Sequence, residues 1–311
     1  MEQDVEKLQK LVDQYDRIVF FGGAGVSTES GIPDFRSVDG LYNQKYDYSP
    51  ETILSHTFFM RHTEEFYRFY RDKMLAPDAK PNAAHKKLAE MEAAGKLTGV
   101  VTQNIDGLHQ AAGSKHVMEL HGSVHRNYCM KCHKFFDASY MLHSAGVPKC
   151  ECGGVIKPDV VLYEEGLDNE VVSDAIRTIA EAEVMIVGGT SLAVYPAAGL
   201  LDYFRGRALV LINKGATPQD RNADLLIQKP IGQIFSQIKV KGNKNMTYQY
   251  EVGDIVKLKK QHPCGNSEWE ILRVGADFRL KCTGCGHQIM IARKLVEKNT
   301  RNLRKKSEEN T

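Results

Sequence analysis

Short apolar runs recur along the first three quarters of this chain. They lack the alternation of apolar and polar residues that is typical of a strand with one solvent-exposed face. They span 17–21, 97–102, 184–187 and 208–212, and each ends at a glycine or a polar residue. Continuous apolar runs are typical of parallel strands that are covered on both faces. Because segments with helical spacing separate the later runs, the pattern predicts a Rossmann-like, doubly wound α/β sheet.

The helical segments follow from apolar spacing and from their end signals. In one of them Pro81 is placed to start a helix and Gly95 to end it, as a proline start and a glycine stop predict. An aromatic-rich segment earlier in the chain is expected to be a core helix. The predicted helices span 2–15, 57–75, 81–94, 169–182 and 197–204.

Residues 121–165 interrupt the strand–helix alternation with cysteines, glycines and short β-like pieces. Together with 37–80 they are expected to form a smaller helical and metal-binding lobe inserted in a domain that spans 1–240. A polar stretch after Lys239 is typical of a linker. Beyond it, 247–311 is expected to be a small β-rich module, with strands over 248–292 and a charged, frayed or helical end at 293–311.

Charge differs between these two parts, although the net charge of the chain is only +2. Residues 1–240 hold 26 basic against 31 acidic side chains, whereas 241–311 hold 15 against 8. The basic part indicates either a solvated module or a surface for nucleic acid or another acidic partner. The start of the chain has no signal-peptide pattern and no apolar run is long enough for a membrane helix, so we expect a cytoplasmic protein without a membrane partner.

The cysteine spacing predicts metal sites rather than disulfides. Cys129-x-x-Cys132, seventeen residues and Cys150-x-Cys152 place four thiols on two tight turns, which is the ligand set of a structural zinc ion. Buried free cysteines are the alternative. A second zinc site would combine three thiols of the C-terminal module with one of two histidines. His287 is the predicted fourth ligand, which gives the set Cys264, Cys282, Cys285 and His287.

The residues after the first apolar run, GGAGVSTESGIPDFRS at 22–37, form the most specific motif. Glycines at the end of a strand let a backbone approach a diphosphate closely. Thr28 stands where an ordinary dinucleotide fingerprint has its third glycine. A plain tight turn is therefore the alternative for this motif taken alone. For NID at 104–106 the alternative is an ordinary turn after a strand, and for His121 it is a structural role.

With TQNIDGLH at 102–109, ELHGSV at 119–124 and GGTSLAVYP at 188–196, this motif resembles the signature of the sirtuins, the NAD-dependent protein deacylases. The resemblance covers 1–240. It implies a reaction in which an acyl group passes from a protein lysine to ADP-ribose, with release of nicotinamide. His121 would be the base that deprotonates a ribose hydroxyl, and Asn104 would hold the ribose or an ordered water.

The resemblance also implies which residues bind NAD and the acylated lysine. Val160 and Val161 would pair with the extended substrate backbone, beside Tyr163. There the sequence departs from many relatives, because Tyr163 and Glu164 replace a Phe-Gly pair. The implied NAD contacts are Gly22, Ala24, Gly25, Thr28, Asp34, Phe35, Arg36, Gln103, Asn104, Asp106, Gly188, Gly189, Ser191 and Asn213.

Two further points concern specificity and rival functions. Relatives that remove acidic acyl groups use Tyr-x-x-Arg, and the nearest match here is Tyr70-x-x-Lys73, which favours uncharged acyl groups. Protein ADP-ribosylation on the same fold is the first alternative function. A nucleic-acid-binding protein with a degenerate enzyme domain is the second. The C-terminal module resembles a small uncharacterised bacterial family, and its Trp269 and Phe278 would either stack on bases or form a core.

Overall fold

The computed structural model describes residues 3–35, 40, 47–240 and 250–306. The chain divides into two compact units, Met1–Gly242 and Asn243–Thr311. The stretch expected to be a linker lies outside the described residues.

The first unit alternates strands and helices, as its apolar pattern predicts. Its strands are β1 (Ile18–Gly22), β2 (Leu97–Thr102), β3 (Val117–Glu119), β4 (Gly122–Cys129), β5 (Phe135–Phe136), β6 (Ile156–Val160), β7 (Val184–Gly188), β8 (Ala208–Ile212) and β9 (Leu225–Ile227). Its α-helices are α1 (Gln3–Gln14), α2 (Pro50–Ile53), α3 (His56–Arg61), α4 (Thr63–Phe69), α5 (Ala83–Ala93), α6 (Leu108–Ala111), α7 (Ala138–His143), α8 (Asn169–Glu181) and α9 (Ile231–Phe235).

Six strands form one parallel sheet in the order β3-β2-β1-β7-β8-β9. Alternate residues of β1 enter different cores, with Ile18 and Phe20 on the face covered by α1, α5 and α9. Val19 and Phe21 belong to the other face, which α8 and a 3₁₀-helix at Ala197–Tyr203 cover. This two-sided burial explains the continuous apolar runs and confirms the doubly wound sheet.

The order of the strands reverses at β1. The chain runs from β1 to β2 and β3 on one side, whereas β7, β8 and β9 lie on the other. Gly22 and Gly188 are aligned partners at the carboxyl ends of β1 and β7. In sheets of this kind the crevice at the reversal is where ligands bind.

Two predicted helices differ from the structure, one at its start and one by a break in its middle. The helix expected from Pro81 begins at Ala83, because the Asn82 side chain accepts from the amides of Ala84 and His85 and so caps the helix there. The helix expected over 57–75 is divided into α3, α4 and a π-helical turn at Tyr70–Met74. The break lies at His62, whose φ of −129° is not helical.

The smaller lobe combines these aromatic helices with a three-stranded antiparallel sheet, in the order β5-β4-β6. Its core includes Phe59, Phe66 and Tyr70 from the helices and Ile156 from the sheet. These aromatic side chains are core residues, as the sequence predicts. They position β6 beside the carboxyl end of the large sheet.

The second unit is an antiparallel sheet in the order β13-β12-β11-β10-β14. Its elements are β10 (Ile255–Leu258), β11 (Glu268–Arg273), β12 (Asp277–Cys282), β13 (Gln288–Ala292), α10 (Arg293–Asn299) and β14 (Thr300–Arg304). The helix α10 agrees with the expectation for 293–311, but β14 was not expected. Because β14 is polar and lies at the sheet edge against β10, it carries no apolar signal. Trp269 and Phe278 are buried in the core of this sheet.

In the part of the chain that the structure describes, no helix combines the length and the apolar character needed to cross a bilayer.

Candidate active site

A cavity of about 1360 Å³ opens at the strand reversal of the first unit. It extends from the glycine motif, past the ends of β2 and β8, to the end of β6 in the smaller lobe. Fifteen of the predicted site residues line it. Twelve are Ala24, Gly25, Thr28, Asp34, Phe35, Gln103, Asn104, Asp106, His121, Gly189, Ser191 and Asn213, and the three at its substrate end are Val160, Val161 and Tyr163.

Two glycine-containing segments, around Gly25 and Gly189, lie against each other at one end of the cavity. Gly25 donates its amide to the Gly189 carbonyl over 2.7 Å, and a Cβ on Gly25 would lie 2.8 Å from the Gly189 Cα. This contact therefore requires glycine at both positions, and Gly189 also has φ +60°. Gly22 and Gly188 are buried within the strands below and do not line the cavity, although the sequence assigned them to cofactor contacts. Their missing side chains make room for Phe20 and Ile231 instead.

A hydrogen-bonded chain joins the glycine motif to the loop after β2. The Asn104 side-chain amide donates to the Ser27 hydroxyl over 3.0 Å, and that hydroxyl donates to the Asp106 carboxylate over 2.6 Å. The other oxygen of Asp106 accepts from the Leu108 amide. Ser27 is almost fully buried. It therefore orients both predicted polar residues, although sequence reasoning did not single it out.

His121 lies at the turn from β3 to β4, beside the same loop. Its Nδ1 is 3.0 Å from the Gln103 carbonyl oxygen. A carbonyl can only accept, so Nδ1 carries the proton and Nε2 of the neutral ring keeps its lone pair. Burial lowers the pKa of His121, and the bond to Gln103 opposes this lowering only in part. The ring is therefore neutral at neutral pH.

Polar groups at the ends of β7 and β8 complete the opposite wall. The side-chain oxygen of Asn213 accepts from the Thr190 amide over 2.9 Å, while its side-chain nitrogen is buried without a hydrogen-bond partner among the described residues. Gln103 donates to the Thr190 hydroxyl over 3.3 Å. Thr190 was not predicted, although it lies between the predicted Gly189 and Ser191. A bound group could satisfy the Asn213 amide, which points to a polar ligand here.

The loop at 33–35 forms the rim above these groups. Asp34 and Phe35 line the cavity, and Phe35 also packs against the core of the smaller lobe. Arg36, predicted to cover the reactive sugar, lies outside the described residues. Its role stays a prediction.

The predicted substrate segment runs from the end of β6 to Tyr163. The Val161 amide donates to the His121 carbonyl, and the Tyr163 amide donates to the Leu54 carbonyl. The Leu162 amide donates to the Glu165 carboxylate over 2.9 Å. Hydrogen bonds within the protein therefore occupy three successive amides beside His121.

Four sulfur atoms meet at the end of the three-stranded sheet. The Cys129 and Cys152 sulfurs are 3.4 Å apart, and those of Cys132 and Cys150 are 3.6 Å apart. All four lie within 4.8 Å of one another. In the second unit a similar group contains Cys264, Cys282 and Cys285, but its histidine is His262. The choice of His287 was wrong because residues 262–266 turn back and place His262 on the thiols.

A nucleotide-sized cavity at the reversal of a doubly wound sheet, with a neutral histidine beside it, defines the class: an α/β enzyme with a nucleotide-binding site. Comparison with known proteins gives the family. Residues 23–196 match the model of the Sir2 family, and residues 250–304 match a family described as a bacterial protein of unknown function, DUF951.

Individual relatives match about three quarters of the chain. The NAD-dependent protein deacetylase of Clostridium acetobutylicum is 60% identical over 238 residues, which are 75% of this chain and 97% of that protein. The enzyme of the same name from Clostridium perfringens is 57% identical over 242 residues, covering 76% and 99%. A solved Sir2 complex with a p53 peptide and NAD⁺ has 40% identity and a TM-score of 0.66, covering 76% of this chain and 96% of that one.

The chain belongs to the Sir2 family, which confirms the sirtuin resemblance of residues 1–240. The resemblance of the C-terminal module to an uncharacterised bacterial family is confirmed as well.

Proposed function

We propose that the first unit is an NAD-dependent protein-lysine deacylase. The observation that carries this proposal is one cavity that holds a close glycine contact at one end, His121 and Asn104 at its centre, and the substrate segment at the other end. The NAD-dependent deacetylase relatives and the solved complexes with acetylated peptide support the same activity. Acylated lysine side chains of proteins are then the substrates.

The residues present fit NAD on two grounds. The close Gly25–Gly189 contact, without side chains, lets a diphosphate approach the backbone beside the cavity, and the buried side-chain amide of Asn213 has no partner among the described residues, which a ribose hydroxyl could provide. Thr28, Ser191 and Gln103 supply further polar groups along this wall. When bound, NAD would supply the ADP-ribosyl group that accepts the acyl group.

His121 acts as the general base in this proposal. Its protonated Nδ1 is held by Gln103, so Nε2 is the atom that takes up a proton from a substrate hydroxyl. Because burial lowers its pKa, the neutral and basic form persists to a lower pH than an exposed imidazole would allow. Turnover should therefore remain high down to pH values below about 6.5, the ordinary pKa of histidine.

Asn104 and Asp106 position polar parts of the substrates. Ser27 takes a hydrogen bond from Asn104 and gives one to Asp106, so both side chains have fixed orientations before anything binds. A neutral amide at Asn104 can bind a hydroxyl or a water without adding charge beside an electron-poor sugar. The remaining acceptor capacity of Asp106 suits a carboxamide NH₂.

The substrate peptide would lie along Val160, Val161 and Tyr163. Since the amides of Val161 and Tyr163 are already bonded, a peptide backbone at those positions must donate to a carbonyl rather than accept from an amide. This restricts its register. Pairing of an extended peptide with a sheet edge is a common mode of recognition.

Uncharged acyl groups suit this site best. Tyr70 is fully buried in the core of the smaller lobe, and Lys73 lies 3.1 Å from the Asp72 carboxylate. Lys73 lines the cavity but Tyr70 does not, so the two side chains do not face a bound acyl group together as a carboxylate clamp would. We expect acetyl and propionyl lysine to be better substrates than succinyl lysine.

The Cys129, Cys132, Cys150 and Cys152 group fits a structural zinc ion. Zinc–sulfur bonds of about 2.3 Å place tetrahedral sulfurs about 3.8 Å apart, close to the separations found here. Four protein ligands leave no open position, so the metal would stabilise the smaller lobe and take no part in the reaction. Reduced thiols are also what a cytoplasmic location provides, and that location stays a prediction.

The test is a reaction of the full chain with NAD and an acetyl-lysine peptide, followed by mass spectrometry. We expect nicotinamide, deacylated peptide and O-acyl-ADP-ribose in equal amounts. ADP-ribose attached to protein without acyl transfer would instead establish the rival transferase. Parallel reactions with propionyl and succinyl peptides test the acyl preference.

A further inference from the structure

The second unit contains a cluster of metal-ligand atoms that neither family match explains. His262, Cys264, Cys282 and Cys285 each direct one ligand atom to a common point, and these atoms all lie within 4.8 Å of one another. The residues come from two separate turns of the chain, one before β11 and one after β12. Their meeting is therefore a result of the fold and not of local sequence.

The distances match a tetrahedral shell. The Cys264 and Cys282 sulfurs are 3.6 Å apart, and His262 Nδ1 lies 3.1 Å from the Cys264 sulfur and 3.5 Å from that of Cys285. The edges of a tetrahedron with zinc–sulfur bonds of about 2.3 Å and zinc–nitrogen bonds of about 2.0 Å have similar lengths. These cysteines form no disulfides. Three thiols and one imidazole are a common ligand set of structural zinc.

Backbone hydrogen bonds hold both turns in the conformations that bring the ligand atoms together. In the first, the His262 amide donates to the Asn266 carbonyl and the Gly265 amide donates back to the His262 carbonyl. In the second, the Cys282 amide donates to the His287 carbonyl and the Gly286 amide to the Cys282 carbonyl. Gly265 and Gly286 have φ of +88° and +75°, which glycine adopts without strain.

A side-chain bond joins the two turns outside the cluster. The Asn266 amide donates to the Thr283 hydroxyl over 2.7 Å, and that hydroxyl donates to the Glu268 carbonyl. This bond places the turns at a fixed separation without a metal. Such preorganisation by neighbouring hydrogen bonds is usual around metal ligands.

The geometry also distinguishes the two candidate histidines. The His262 ring packs edge-on against Trp269, at a centroid distance of 5.1 Å, and stacks on His287 at 5.3 Å. His287 thus supports the ligand ring from the solvent side and is itself exposed. His262 is the ligand, with Nδ1 as its binding atom.

A metal ion would also compensate for the small apolar core of this unit. Its described core contains nine buried apolar residues, one of which is the ligand Cys282. Domains of this size seldom reach stability from an apolar core alone, and metal ions or disulfides commonly complete them. The cluster closes the end of the sheet where β11 and β12 meet.

We propose that His262, Cys264, Cys282 and Cys285 bind a structural zinc ion that holds the C-terminal unit together. All four positions of the metal are occupied by protein, so the site would be closed to substrate. The ion is distinct from the zinc proposed for the deacylase unit. A full chain that is loaded at both clusters would carry two zinc ions.

Metal analysis of the full-length protein, purified under reducing conditions and dialysed to remove loose metal, tests the proposal. We expect two zinc ions per chain in the wild type and one in Cys264→Ser. Cys150→Ser, the matched control in the other cluster, should also hold one. A wild type with one zinc ion, or a Cys264→Ser chain with two, would overturn the proposal.

The histidines provide a second test that does not require a misfolded variant. His287→Ala should keep two zinc ions, whereas His262→Ala should lose one. His262→Cys should restore it, since a fourth thiolate completes the same shell. In the cobalt-substituted protein, His262→Cys should also shift the visible absorption towards that of an all-sulfur site. An unchanged spectrum, or loss of metal from His287→Ala rather than from His262→Ala, would show that His262 is not the ligand and would refute the proposed site.

Discussion

The two units of this protein carry the same kind of thiol cluster but rely on it to different degrees. In the first unit, two large apolar clusters cover the faces of a parallel sheet and contain no ligand cysteine, whereas Cys129 and Cys150 are buried in the separate core of the smaller lobe. In the second unit, a ligand cysteine is part of the only core found among residues 250–306. A thiol cluster can therefore stabilise one lobe of a unit, as in the first, or be a condition of folding for the whole unit, as in the second.

The polar groups of the two sites also differ in what they face. Ser27, Asn104 and His121 of the first unit are held by their neighbours and face a cavity, which is an arrangement for chemistry. His262 and the cysteines of the second unit face one another. We expect changes to the first set to affect turnover, and changes to the second set to affect folding.

Zinc removal should have the largest effect and should separate the two units. The chain has one tryptophan, Trp269, which is buried against His262. Chelation should unfold the second unit, because structural zinc contributes on the order of 10 kcal/mol to small zinc domains. Trp269 emission should shift to the red, while the amides of β1 and β7 stay protected in hydrogen exchange. An unshifted emission after complete zinc removal would show that the core alone holds this unit.

His121→Ala should lower turnover by at least ~10²-fold, as loss of a general base usually does. The melting temperature and NAD binding should stay near those of the wild type, because the ring makes one bond to a backbone carbonyl. His116→Ala is the matched control, since His116 pairs with Asp174 and does not line the cavity. Steady-state rates and calorimetric NAD titration measure both. Near-normal turnover in His121→Ala would remove this residue from the reaction.

Acid should destabilise the first unit through a buried histidine pair. Burial lowers the pKa of His85 to about 4 and that of His109 to about 3, and the two rings are 4.7 Å apart. Because both folded values lie below the unfolded value of about 6.5, stability is complete above that pH and falls as the pH drops towards 3. Melting temperatures followed by far-ultraviolet circular dichroism should show this loss. His109→Phe should reduce it; an identical pH profile in that variant would exclude the pair.

Ser27→Ala should cost about 1–3 kcal/mol, because it leaves the buried Asn104 amide without its acceptor. Part of this cost should appear as slower turnover, since Asn104 and Asp106 lose a common anchor. Denaturant unfolding and steady-state rates measure the two parts. Ser30→Ala, on the same loop but outside the cavity wall, is the control, since it also removes a hydroxyl that accepts a hydrogen bond, from Asn82, and should lower stability without slowing turnover.

Glu164 should show the smallest effect. Its φ is +76°, and its carboxylate accepts from the amide and hydroxyl of Thr57 at the start of α3. Glu164→Ala keeps the strain and loses both hydrogen bonds to Thr57, so we expect a loss of about 1 kcal/mol. Glu164→Gly loses the same bonds but relieves the strain, and should stay closer to the wild type. Thermal unfolding decides the order of the two variants.

Much of the first unit was predictable because its signals are local. The apolar runs at β1, β7 and β8 need cover on both faces, and the glycine and polar residues after them mark the carboxyl edge of the sheet. Ser27 was missed because a serine in a glycine-rich loop has no pattern of its own. Its importance depends on Asn104 and Asp106, which lie more than seventy residues away in the chain.

The sequence by itself determined the sheet, the two lobes, the family and the cysteine pairs, since each depends on residue types at short and regular spacing. Only the tertiary structure decided that His262 and not His287 meets the thiols, that Gly22 and Gly188 lie below the cavity, and that Trp269 is core. These outcomes depend on how distant segments pack against one another. Spacing along the chain carries no information about such contacts.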